Sequence, residues 1–123
     1  MPVIHPSDAV VFEIHGATFT SYAAPHSGSA ELAAWQVDVP AGVTGVPHRV
    51  TREEVLRVTA GSATVTLDDE KCDVTAGDVI IVPAGSLFGI DTGAEALTAW
   101  VTTSVGLRAA LADGSWITPP WTR

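Results

Sequence analysis

His48 and Glu54 fall inside one glycine-bounded segment, GVTGVPHRVTREEVLRVTAG, which runs from Gly42 to Gly61. An imidazole and a carboxyl group held together in a pocket can move a proton beside a carbonyl or during ring closure. Strand parity turns Glu54 inward. Successive side chains on a strand point to opposite faces, so Glu54 shares a face with Leu56 and Val58, and Glu53 shares the other with Val55, Arg57 and Thr59. A lone carboxylate among apolar neighbours is costly unless it is paired or protonated, and His48 is the partner at hand. Burial would raise the carboxyl pKa and a close imidazolium would lower it, so the two would titrate as a unit. Two plainer roles stay open: a pair that orients a ligand without chemistry, and a hydrogen-bonded pair that is only structural.

Other reactive residue types carry weaker signals. Cys72 is the only cysteine, which rules out an intramolecular disulfide and fits a reducing compartment. Its strand setting reads as a small buried hydrophobe, with no neighbour to lower its pKa. His15 and His26 are too far apart for a local metal spacing and read as exposed or core residues. Arg52, in the turn before Glu54, is a candidate for the mouth of a pocket. With Arg49 and Arg57 it also reads as a solvated face. Trp35 is placed to line an interior, and Trp100 reads as an outer-face aromatic. Neither a P-loop, nor a nucleotide-binding glycine pattern, nor a G-x-S-x-G elbow occurs.

The elements that would position these groups are short and alternating. Residues 12–22 and 31–39 each read as a strand, with Pro40-Ala41-Gly42 ending the second. Ala63, Val65 and Leu67 share one face, and the polar run 68–71 makes a hairpin turn before a strand at 72–74. Val79-Ile80-Ile81-Val82 is apolar throughout, as expected of a strand covered on both sides. Leu97, Ala99 and Val101 alternate with Thr98, Trp100 and Thr102. One short C-terminal helix is expected, with Ser104 as N-cap, 107–112 as its body and Gly114 closing it. Beyond it, Pro119-Pro120 forbid a helix, and Trp116 and Trp121 are expected outside the barrel or across a dimer interface, with a lid over a ligand as the alternative. Nine or ten such strands with regular turns make an all-β sandwich or barrel, jelly-roll type included.

Here a family comes into view. The pattern G-x5-H-x-H-x3-E-x6-G followed by G-x5-P-x-G-x2-H is the paired motif of the cupins. This chain resembles it at Gly42, His48, Val50, Glu54 and Gly61 (motif one, 42–61), then Gly77, Pro83, Gly85 and Phe88 (motif two, 77–92). The resemblance implies one domain over residues 1–123, an RmlC-like double-stranded β-helix (the jelly-roll or cupin barrel), a small-molecule site inside it and a homodimer. It also implies where a metal would sit: metal-binding cupins hold a divalent transition metal with two motif-one histidines, the glutamate and the motif-two histidine. In this chain Val50 and Phe88 replace two of those ligands, leaving His48 and Glu54, one short of the usual three. The site is thus a degenerate metal site facing hydrocarbon from Val50, Leu56, Phe88, Ile90 and Trp35. No cofactor is expected. A divalent transition metal would need His15, His26 or another group to reach in.

Composition narrows the function. The chain has 123 residues, 46% hydrophobic and 16% charged, with a formal net charge of −8. That charge speaks against a nucleic-acid partner, since phosphate binding needs a basic patch. No apolar stretch is long enough for a membrane span, and the start MPVIHPSDAVVF lacks the basic and apolar regions of a secretion signal, so a cytoplasmic location is expected. Whether the protein is an enzyme is open at this point. The first reading is a metal-free isomerase, cyclase or dehydratase using His48 and Glu54 on a small organic ligand. The second is a non-catalytic metabolite-binding module, and the third a metal-dependent oxygenase with ligands from outside the motif.

Overall fold

A computed structural model of the chain describes residues 2–123. Eleven strands dominate: β1 (Val10–Ile14), β2 (Ala17–Ala23), β3 (Leu32–Val39), β4 (His48–Val50), β5 (Glu54–Leu67), β6 (Glu70–Thr75), β7 (Val79–Val82), β8 (Leu87–Asp91), β9 (Leu97–Ser104), β10 (Ala109–Leu111) and β11 (Trp116–Ile117). All pairings are antiparallel, in the order β1-β2-β3-β9-β5-β8-β4-β10-β11, with β6 and β7 also paired to β5. The result is the curled all-β jelly roll that the alternating pattern predicts.

β5 makes the sheet curl. Its first half pairs with β7 and β9, and its second half with β6 and β8, so one continuous strand serves both walls. Gly61 sits at the changeover with φ of +79°, beside a register shift between Val58 and Ala60. A Cβ there would stand 1.7 Å from the Ala96 carbonyl oxygen, so only glycine fits. The inward faces of β3, β5 and β9 form the core: Trp35, Val37, Leu56, Val58, Ala99 and Val101 are all buried.

Five local expectations are corrected. The segment after Ser104 is a strand, not a helix. Leu107 and Ala109 are buried while Arg108 is exposed, a period of two. β10 is held between β4 and β11, and the Arg108 N–H donates to Thr51 Oγ1. A helix this short is marginal in water, and the pairing wins. Residues 12–22 form a hairpin, not one strand, turning at His15 and Gly16 with φ of +50° and +79°. Both signs suit a type I′ turn, and histidine tolerates the left-handed region better than most residues. β7 is covered on one face only: Ile80 and Val82 are buried, whereas Val79 and Ile81 are more than half exposed. Cys72 is exposed on β6, not buried. Trp121 packs inside instead of outside, flat on Phe19 at a ring distance of 3.7 Å. Trp116 remains outside, beneath the Arg108 guanidinium.

Candidate functional site

The barrel holds a partly open cavity of about 140 Å³. Its sides come from most of the sheet. β3 contributes Trp35 and Val37, β4 His48 and Val50, β5 Glu54 and Leu56, and β8 Phe88 and Ile90. The β1–β2 turn adds His15, and the C-terminal segment contributes Ile117, Pro119 and Trp121. Trp35, His48, Val50, Glu54, Leu56, Phe88 and Ile90 therefore line one space, whereas Val58, on the same face of β5, is buried in the core beyond it. Arg52 does not line it. It is exposed in the bend before β5, and its guanidinium lies against Gly106. The bend points it away from the lining.

His48 is half-buried and sits opposite Phe88 in the β4–β8 ladder. The rings meet edge to face, 5.7 Å apart at 75°. Nδ1 lies 3.1 Å from the Val46 carbonyl. A carbonyl only accepts, so this bond places the proton on Nδ1 and leaves the Nε2 lone pair free. Burial pushes the imidazole pKa below its usual value, the Val46 bond works the other way, and the neighbouring His15 lowers it further. The ring is thereby biased toward a neutral base.

Glu54 is the buried acid of the site, 6% exposed. It pairs in register with Val82 on one side and Thr103 on the other. The Thr103 hydroxyl is turned away, donating to the Glu53 carbonyl at 2.7 Å. Burial alone raises the Glu54 pKa from 4.5 to about 7. The expected His48–Glu54 hydrogen bond is absent among the described residues. The Val46 carbonyl accepts the His48 Nδ1–H, and Glu54 faces the cavity without a hydrogen-bond partner among the described residues. Each group is left to meet a guest independently.

The donor set does not fit a metal held by three protein side chains. Among the described residues no three His, Cys, Asp or Glu side chains converge on a point. His15 lines the cavity, but His26 lies outside it, bonded through Nε2 to Ser21 Oγ at 3.0 Å. Val50 and Phe88 place hydrocarbon where two further ligands would stand.

The C-terminal segment lines the cavity, where an outer face or dimer interface is the first expectation and a lid the alternative. Trp121 stacks on Phe19 and tilts against Phe12 and Trp35, and its carbonyl accepts a buried hydrogen bond from Ser21 Oγ at 2.8 Å. The apolar residues around Pro119-Pro120 were the only signal. Nothing local told inside from outside. No helix among the described residues is long and apolar enough to cross a membrane.

The cupin domain family matches residues 35–101. No curated protein matches the chain in sequence. Among solved structures, the chain is similar to the polyketide cyclase RemF from Streptomyces resistomycificus, with a TM-score of 0.76 and 20% identity, over 85% of this chain and 79% of that one. It is also similar to an RmlC-like cupin from Shewanella frigidimarina, with a TM-score of 0.69 and 22% identity, over 81% and 86% of the two chains. A salicylate 1,2-dioxygenase from Pseudaminobacter salicylatoxidans superposes with a TM-score of 0.74 at 15% identity, and this chain spans 33% of its length. At these identities the likeness is one of fold.

Proposed function

This chain belongs to the cupin family, and we propose that its barrel binds a small organic molecule and moves a proton on it, with Glu54 as acid and His48 as base, without a metal. One observation carries the reading: an unpaired carboxyl buried in an apolar cavity, sharing that cavity with an imidazole whose Nε2 is free. General acid–base catalysis is most effective when the catalytic pKa lies near the working pH, which supports Glu54, raised to about 7, as the acid, while the lowered pKa of His48 keeps it a neutral base. Isomerisation, dehydration and ring closure all use such a pair. Ring closure is what the name of RemF states for that protein.

The test is deuterium exchange into small cyclic ketones at the carbon beside the carbonyl, followed by NMR. We expect exchange with the parent chain and its loss in His48→Ala and Glu54→Gln variants that keep their fold. Equal exchange in parent and variants would overturn the reading. Ligand-induced thermal stabilisation without exchange would favour capture alone. The apolar outer face made by Val55, Val79, Ile81 and Trp100 supports a homodimer. Sedimentation that gives a monomer would refute it. The exposed, unpaired Cys72 suits a reducing cytoplasm.

A further inference from the structure

The size, walls and polar groups of the cavity together restrict what it can hold. Its volume is about 140 Å³, and an apolar cavity of about 150 Å³ admits one benzene ring. The aromatic rings of Phe19, Trp35, Phe88 and Trp121 are among the lining, which suits an aromatic guest.

Charge is the second restriction. No lysine or arginine lines the cavity, and its ionisable groups are His15, His48 and Glu54. A carboxylate guest would give up its hydration, gain no fixed cation and face the Glu54 carboxyl. An ammonium guest would lose its hydration among mostly apolar walls, and it needs Glu54 ionised, which burial disfavours.

Hydrogen bonding is the third. His48 Nε2 is a free acceptor on the cavity wall, and the Glu54 carboxyl on the same wall has no hydrogen-bond partner among the described residues. A guest hydroxyl, which both donates and accepts, can satisfy both groups.

We propose that the cavity selects an uncharged, single-ring molecule carrying hydroxyl or carbonyl oxygen, over the same ring bearing a carboxylate or an ammonium group. The proposal deepens the reading above and rests on the cavity being the ligand site.

Phenol, benzoate and benzylammonium, titrated about one pH unit below the Glu54 midpoint of about 7 into the ¹⁵N-labelled chain, test it. The indole signals of the exposed pair are assigned with Trp100→Phe and Trp116→Phe. We expect phenol to shift the Trp35 and Trp121 signals, to leave Trp100 and Trp116 unmoved, and to bind at least about tenfold tighter than either ion. Benzoate or benzylammonium binding as tightly as phenol overturns the proposal. So does phenol that leaves Trp35 and Trp121 unmoved. The two readings fail separately: phenol bound as expected but without ketone exchange in any assay sinks only the acid–base chemistry. A carboxylate bound and turned over in the cavity sinks only the substrate class.

Discussion

The His48 ring meets Phe88 edge-on across the β4–β8 ladder, 5.7 Å between centroids, at the position where the cupin motif has its last histidine. The contact sets hydrocarbon against the imidazole. Val50 adds hydrocarbon to the lining from within β4.

Restoring both ligands should therefore restore a metal site. A Val50→His, Phe88→His double variant would present three histidines and Glu54 to one point. We expect it to take up about one equivalent of nickel or zinc per chain, enough donors for a closed tetrahedral site. Elemental analysis after desalting reads the result. Uptake equal to that of the parent would mean that these four positions do not converge.

Glu54 imposes a signed pH dependence on stability. Its folded pKa of about 7 exceeds its ordinary 4.5, so between those values the folded chain holds a proton that the unfolded chain has released. Stability from this group is thus fully present below pH 4.5 and lost as pH rises through about 7, a difference on the order of 3 kcal/mol in all. His48, with its lowered pKa, acts oppositely and costs stability on the acid side. Glu54→Gln should match the parent near pH 4 and exceed it above pH 7, measured by urea denaturation. A parallel pair of curves would show that Glu54 ionises without penalty.

The same two groups predict the shape of an activity profile. The working form needs neutral His48 and protonated Glu54. Rate should rise with pH as His48 loses its proton and fall as pH passes about 7. Glu54→Gln is expected to lower the rate by about 10²–10⁴-fold and to remove the alkaline limb. Ketone exchange measured against pH checks both, and an alkaline limb that survives in the variant assigns it to another group.

The motif glycines should not be equally sensitive. Gly77 has φ of +96° but open space around a would-be Cβ, so Gly77→Ala should cost about 1–2 kcal/mol of left-handed backbone strain. Gly61→Ala adds a clash with the Ala96 carbonyl oxygen at 1.7 Å, and should prevent folding or cost far more. Thermal melts of the two variants compare them directly. Similar melting temperatures would mean that β5 and the Ala96–Leu97 backbone separate easily.

Several of these features were legible in the chain itself. Glu54, Leu56 and Val58 are buried while Val55, Arg57 and Thr59 are exposed, as strand parity requires. The glycines at 42, 61, 77 and 85 all have positive φ, marking turns that other residues resist. Residues 107–112 were misread because helix propensity is a weak local preference, and the pairing with β4 that overrides it comes from a distant segment. The His15–Gly16 turn lacked the usual Asn-Gly or Asp-Gly signal.

By itself the sequence determined the barrel, the inward set around His48 and Glu54, and the presence of Val50 and Phe88 where the cupin motif carries histidine, because period-two alternation and motif spacing are local properties of a chain. Only the tertiary structure decided that His48 bonds to Val46 and leaves Glu54 alone, that His15 joins them, and that Trp121 turns inward to line the cavity against Phe19. Those outcomes depend on which donors and rings meet across long sequence separations. Competition among nearby hydrogen-bond partners and the packing of the closed barrel settle that, and neither is written in residue order.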